Sequence, residues 1–281
     1  MGRFDNILMT ADFDRTFTDE NTEMPPANFE AVREFEEEGG LFTINTGRSV
    51  PMFRKFMYKI PTSAPLILYN GAGTYDKERK ELLSFVEMPG GRELVREIHD
   101  RYPDLWLEVQ GGEYHYFFEE DKQRARFMHR FEADYKIVSI EEVPLPILNY
   151  TLSGRYYDDS VGQFYKGTED EFRYMDKVQA ELERDYGEMI LINRSMPRMM
   201  DMMNKRVSKG RAARELAQKL GRGVLVCAGD APNDLSMLEE ADIAFIPADC
   251  SPEIKGRGFR ETLPCAQGTI RGAVDELKKL F

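Results

Sequence analysis

The sequence predicts an α/β protein: a Rossmann-like parallel sheet core interrupted by an inserted α+β domain. Three observations lead there. Short apolar runs alternate with segments of helical period at the start of the chain, and the same alternation returns at its far end. The long stretch between them has a different texture, with paired strands and charged helices. In order, Ile7-Leu8-Met9 reads as a strand running into Asp12-Phe13-Asp14. A helix follows from about Pro26 to Glu38, with Phe29, Val32 and Phe35 on one side. Pro25 and Pro26 suit its first turn and Gly39-Gly40 its stop. Leu41 to Asn45 reads as a strand, Val50 to Tyr58 as a helix and Leu66 to Tyr69 as a strand.

The middle, about Phe85 to Met200, contains strands Leu105 to Val109 and Tyr114 to Phe118 joined through Gly111-Gly112, a hairpin signal. It also holds a charged helix from Glu169 to Tyr186. Beyond it, Gly210 to Leu220 is helical, stopped by Gly221, and Val224 to Ala228 is the continuous apolar run of a central parallel strand. A helix from Asn233 to Glu240, a strand from Ile243 to Ile246 and a terminal helix from about Thr269 complete the pattern. The expected division is core over 1–84, insert over 85–200 and core again over 201–281.

Composition narrows the function classes. Of 281 residues, 38 are Lys or Arg and 50 are Asp or Glu, a net charge of −12. A balance this acidic argues against nucleic acid or an anionic membrane as the main partner, since either would need a basic face. No run approaches the roughly 20 apolar residues of a membrane span. Asp5 falls where a signal peptide would build its apolar stretch, so a cytoplasmic protein is expected. Cys227, Cys250 and Cys265 form no C-x-x-C pair and read as reduced thiols. His99, His115 and His129 lack zinc-ligand spacing and read as solvated or packed imidazoles.

Acidic residues at strand ends carry the chemistry. Asp12 and Asp14, at i and i+2, point to one side of an extended chain, at the edge where open α/β sheets bind ligands. The Val224 strand ends likewise in Gly229-Asp230-Ala231-Pro232-Asn233-Asp234. If the two strands are neighbours, Asp230 and Asp234 join the cluster. Repelling carboxylates then call for a divalent cation, and oxygen-only ligands favour Mg²⁺ over zinc. Read singly, these aspartates are equally turn residues or helix caps. Thr46-Gly47-Arg48 places a hydroxyl and free N–H groups ahead of a helix, suited to phosphate oxygens or simply to an N-cap. Lys209 opens a helix against the dipole, which fits an anion-binding role or a solvated side chain.

These segments, Asp12-Phe13-Asp14-Arg15-Thr16, Thr46-Gly47-Arg48, Lys209 and Gly229 to Asp234, resemble in order the four motifs of the haloacid dehalogenase (HAD) superfamily. Asn70-Gly71-Ala72 and Val207-Ser208-Lys209-Gly210 are similar to its Cof-type sugar-phosphatase branch, in which an α/β cap interrupts the core. The resemblance implies a Mg²⁺-dependent phosphatase acting on a small phosphorylated metabolite, with a sugar phosphate as its substrate class. Asp12 would be the nucleophile and Asp14 the general acid and base. The cation would be held by Asp12, the Asp14 carbonyl and Asp230, with Asp234 or Asn233 in support. Thr46, Gly47, Lys209 and Asn233 would bind the phosphoryl group, and Thr16 would fix the loop.

The aromatic residues Trp106, Tyr114, Tyr116 and Tyr150 of the insert suit either a sugar ring or hairpin packing. One departure is Arg15, where the family usually has glycine. A positive φ there would strain it by about 1 kcal/mol, and its guanidinium would meet either solvent or a second substrate anion. A sugar phosphomutase and a non-catalytic sugar-phosphate-binding regulator are the competing readings.

Overall fold

The computed structural model describes residues 2–154, 157–158, 163–164 and 167–281. The first strand, β1 (Ile7–Ala11), is buried at every position, as expected of a strand covered on both faces. Helix α1 (Pro26–Glu37) starts with proline at its first turn, turns Ala31, Val32 and Phe35 inward, and is followed by Gly39 at φ +91°. Strand β2 (Leu41–Ile44), helix α2 (Val50–Met57) and strand β3 (Leu66–Leu68) follow, the last continued antiparallel by β4 (Gly73–Asp76) and then β5 (Glu81–Phe85).

The insert comprises α3 (Gly91–Arg101), β6 (Trp106–Gly111), β7 (Tyr114–Phe117), α4 (Lys122–Phe131), β8 (Tyr135–Ile137), β9 (Asn149–Ser153), the short pair β10 (Tyr157–Asp158) and β11 (Gln163–Phe164), α5 (Glu169–Tyr186), β12 (Ile190–Met196) and β13 (Met199–Asn204). Its sheet runs β12-β13-β9-β6-β7-β8. Helix α5 has the bounds the sequence predicts, because Thr168 and Glu171 form a reciprocal capping box at its start. Alternation splits the sheet into two faces. Leu107 pairs with Leu152 and Val109 with Tyr150, all buried, and the Tyr150 hydroxyl donates to Gly91 O at the start of α3. Tyr150 is therefore a packing residue. The neighbouring positions Glu108, Thr151 and Asp201 lie in register as a polar row.

That polar row holds a buried chain. His115 places Nε2 2.6 Å from Ser49 Oγ and Nδ1 2.6 Å from Glu108 Oε1, and all three residues are buried. Burial alone would raise the Glu108 carboxyl, but His115, Gln110 and Arg124 outweigh it and hold it below its usual range. His115 is thus a packed imidazole. We expect His115→Leu to cost roughly 3 kcal/mol at pH 7 by leaving Glu108 buried without its partner. Glu108 contributes stability above its unfolded value near 4.5 and loses it as pH falls through its lower folded value. Urea unfolding of this variant at pH 7 and pH 4 should therefore show the cost shrinking with acid; an equal cost at both would assign it to lost volume alone.

The chain returns to the core with α6 (Lys209–Lys219), β14 (Val224–Ala228), α7 (Leu235–Glu240), β15 (Ile243–Pro247), β16 (Arg260–Thr262) and α8 (Thr269–Leu280). The core sheet has the order β16-β15-β14-β1-β2, parallel throughout. β1 lies between β2 and β14, with Ala11 opposite Ala228, so both acidic strand ends emerge side by side. Leu8, Leu225, Cys227, Ala213, Leu216, Met237 and Leu238 pack into one apolar cluster of this core. Gly210 is needed where α6 meets α7, since a Cβ there would stand 1.9 Å from Ser236 O.

Two compact units result: Met1–Arg48 with Phe56–Ser84 and Val207–Phe281, and Ser49–Lys55 with Phe85–Arg206. The boundary expected at 200 falls inside β13, whose ladder to β9 continues to Met203, so residues 201–206 group with the insert.

Candidate active site

The site is built at the carboxyl ends of β1 and β14. Asp12 follows β1 directly, and its N–H donates to Ala228 O of the neighbouring strand at 2.9 Å. Lys209 is the first residue of α6 and is 1% exposed. Its Nζ donates to Asp12 Oδ1 and to Asp234 Oδ1, each at 2.6 Å. Asn45, to which the sequence assigns no site role, and Gly71 set its position. Asn45, at the end of β2, donates from Nδ2 to Lys209 O at 3.0 Å. Gly71, after Asn70, adopts φ +97° and lies so close to Ser208 that a Cβ would stand 2.5 Å from its carbonyl oxygen. A polar residue at the end of an apolar run was the available signal for Asn45, as it was for Asp12.

Asp234 is fully buried. Its Oδ2 accepts from the N–H groups of Asp230 and Ala231 at 3.0 and 3.1 Å, so it shapes the loop that carries Asp230. Gly229 makes room, because a Cβ there would lie 2.6 Å from Asp234 Cβ. Thr16, buried, donates from Oγ1 to Asp230 Oδ1 at 3.4 Å. Asp12, Asp230 and Asp234 each offer an oxygen within 4.8 Å of the others.

Three buried carboxylates face one buried ammonium. Burial, and then Asp234, push Asp12 well above the usual carboxylate range, against the opposing pull of Lys209. Burial and Asp234 likewise push Asp230 up to about 6, with Arg15 and Lys209 opposing. For Lys209, burial alone would favour the neutral amine, but the Asp12 and Asp234 carboxylates outweigh it and keep it charged. Excess negative charge and an oxygen-only donor set fit a hard divalent cation such as Mg²⁺.

A folded value for Asp230 above its unfolded 3.8 means that the cation-free protein loses stability as pH rises from about 4 to about 6. At 1.36 kcal/mol per unit the loss is roughly 3 kcal/mol. Added Mg²⁺ should therefore raise the melting temperature more at pH 7.5 than at pH 5. A shift independent of pH would place the binding elsewhere.

Asp14 lies beyond the end of the first strand, so the strand pleat does not by itself set the direction of its carboxylate. The strand ends at Ala11, and residues 13–17 form a tight turn in which the pleat no longer applies. The Asp14 carboxylate accepts a two-pronged contact from Arg48, while its charge still raises Asp12. Arg15 takes the left-handed conformation, φ +59° and ψ 11°, the strain a non-glycine residue brings to this position. Its Nε lies 3.4 Å from Asp230 Oδ2, and it also donates to Asp249 O, so it is a counterion of the cluster. Thr46 is 1% exposed and accepts the Arg48 N–H on Oγ1 at 3.2 Å, a turn that leads into α2. Gly47 lies against Asn70, whose Oδ1 would be 2.8 Å from an added Cβ. Asn233 is exposed on the turn Pro232–Asp234.

Fold and site together define a HAD-type enzyme. Residues 9–258 match the family model of the haloacid dehalogenase-like hydrolases, and the chain belongs to that family. Among curated proteins it is 23% identical over 279 residues to the Bacillus subtilis protein named "Putative phosphatase YxeH", covering 96% of this chain and 97% of that one. Among solved structures it is similar to a haloacid dehalogenase-like hydrolase from Bacteroides thetaiotaomicron, with TM-score 0.77, 18% identity and coverage of 98% and 99%. It is also similar to the HAD subclass IIB sugar phosphatase BT4131, with TM-score 0.71, 17% identity and coverage of 97% and 98%. Among the described residues no helix is long and apolar enough to cross a membrane.

Proposed function

We propose that this protein is a Mg²⁺-dependent phosphatase that hydrolyses the phosphate monoester of a small metabolite, with a sugar phosphate as the substrate class, through an aspartyl-phosphate on Asp12. The observation that carries the reading is Lys209, buried and hydrogen-bonded at 2.6 Å to both Asp12 and Asp234. An ammonium so placed holds the Asp12 carboxylate in one orientation and supplies positive charge where phosphoryl oxygens would gather. Membership of the hydrolase family supports the phosphatase assignment, and the sugar phosphatase among the similar structures supports the substrate class.

In the first step a carboxylate oxygen of Asp12 forms a bond to phosphorus as the bond to the leaving oxygen breaks. Asp14 gives its proton to that oxygen. Lys209, Thr46 and the N–H of Gly47 would bind the phosphoryl oxygens. In the second step Asp14 takes a proton from water, which attacks phosphorus and frees Asp12. Asp12, Asp230 and the Asp14 carbonyl would hold Mg²⁺, with Asp234 positioning Asp230 and Lys209. The cation would offset the charge of the phosphoryl group and of the carboxylates around it. Three buried thiols, free of disulfides, fit a cytoplasmic enzyme.

The test is phosphate release across a panel of sugar phosphates, nucleotides and other phosphorylated metabolites with Mg²⁺ present. Turnover led by sugar phosphates is expected. Isomerised sugar phosphate without free phosphate would make the protein a mutase, and tight binding without turnover would make it a regulator.

A further inference from the structure

We propose that Arg48 is a positioning residue for the general acid, a guanidinium fork that fixes the direction of the Asp14 carboxylate; this rests on the phosphatase reading above. Arg48 Nε donates to Asp14 Oδ2 at 2.9 Å and a terminal nitrogen to Oδ1 at 2.7 Å, so both carboxylate oxygens are held in one plane. The fork itself is immobilised at three levels. Its backbone N–H is bound by Thr46 Oγ1, and its carbonyl accepts from Tyr69 N at 3.1 Å. Its guanidinium carbon sits 5.1 Å from the Phe13 ring centre and 5.2 Å from that of Phe56, two buried rings 4.8 Å apart. Phe13 stands between Asp12 and Asp14, so the seat of the fork is part of the loop that carries both acids.

Asp14 needs such support. Its side chain is 46% exposed, against 17% for Arg48, and it sits in a turn next to the left-handed Arg15, outside any ladder that would fix it. Each carboxylate oxygen in the fork keeps a second lone pair. The fork therefore leaves a lone pair on each oxygen through which Asp14 can face the leaving oxygen as the P–O bond breaks, and the carboxylate that results is already paired with a cation. A lysine would supply the charge without the planar two-pronged geometry.

The role predicts a loss that depends on the leaving group. A sugar alkoxide needs a proton as it departs, whereas p-nitrophenolate does not. Since kcat/KM reports the steps up to leaving-group departure, it isolates the acid from the later hydrolysis. We expect Arg48→Met and Arg48→Lys to lower kcat/KM for a hexose 6-phosphate at least tenfold more than for p-nitrophenyl phosphate, with the lysine variant less affected. Circular dichroism and melting temperature check that each variant folds; should the methionine variant not fold, the lysine variant reads the same ratio. Equal losses on both esters, or an unchanged ratio, would overturn the role of Arg48 alone. A wild-type protein that released phosphate from neither ester would overturn the phosphatase reading and this role with it.

Discussion

Asp12→Asn is expected to reduce phosphate release by on the order of 10⁴-fold or more, because the variant loses the oxygen nucleophile while its shape is kept. The same substitution should leave the protein as stable as before or more so. It takes one negative charge from a buried group of three carboxylates, and Lys209 keeps its 2.6 Å contact with Asp234. The two measurements thus separate: phosphate release with Mg²⁺ falls while the urea midpoint holds or rises. Near-normal turnover would remove the covalent mechanism. A marked fall in midpoint would make Asp12 a structural residue.

Lys209→Met should fail on both counts. Methionine preserves the stem but leaves Asp12 and Asp234 facing each other in a buried site, a loss on the order of 3–5 kcal/mol at neutral pH, and it removes the group assigned to the phosphoryl oxygens. The stability loss has a definite pH course. Burial raises Asp12 and sets Asp230 at about 6, so both take up protons as pH falls, and the penalty of the missing ammonium shrinks below that value. Unfolding curves at pH 7.5 and pH 5 should converge for the variant and wild type. A gap that stays constant would mean that Lys209 acts through packing rather than charge.

The parts of this architecture that could be read from sequence are those whose physics is local. Val224 to Ala228 is apolar throughout because both faces are buried, and that alone placed a central strand there. Glu169 to Tyr186 carries its own cap and its own apolar spacing. Asp12 was legible because it ends an apolar run. The direction of Asp14 is not legible from spacing alone, since the two-residue repeat holds only while the chain is a strand, and the strand stops at Ala11. The burial of Lys209 could not be seen from its own helix, because its partners lie 197 and 25 residues away. The same holds for Asn45, whose contact is made across 164 residues, and for His115, joined to Ser49 across 66. Tyr150 illustrates the converse, an aromatic residue open to a ligand reading that the sheet register turns inward.

Placing β14 beside β1 also constrains how the molecule is made. During synthesis the first strand waits, with one edge unpaired, until more than two hundred further residues have left the ribosome. The penalty for closing so long a span grows only as the logarithm of its length, and it is reduced further if the intervening ladders form early by local pairing. On the function proposed above, catalytic competence would consequently be a late event in the life of each chain, because Asp230 and Asp234 are supplied only after β14 is made.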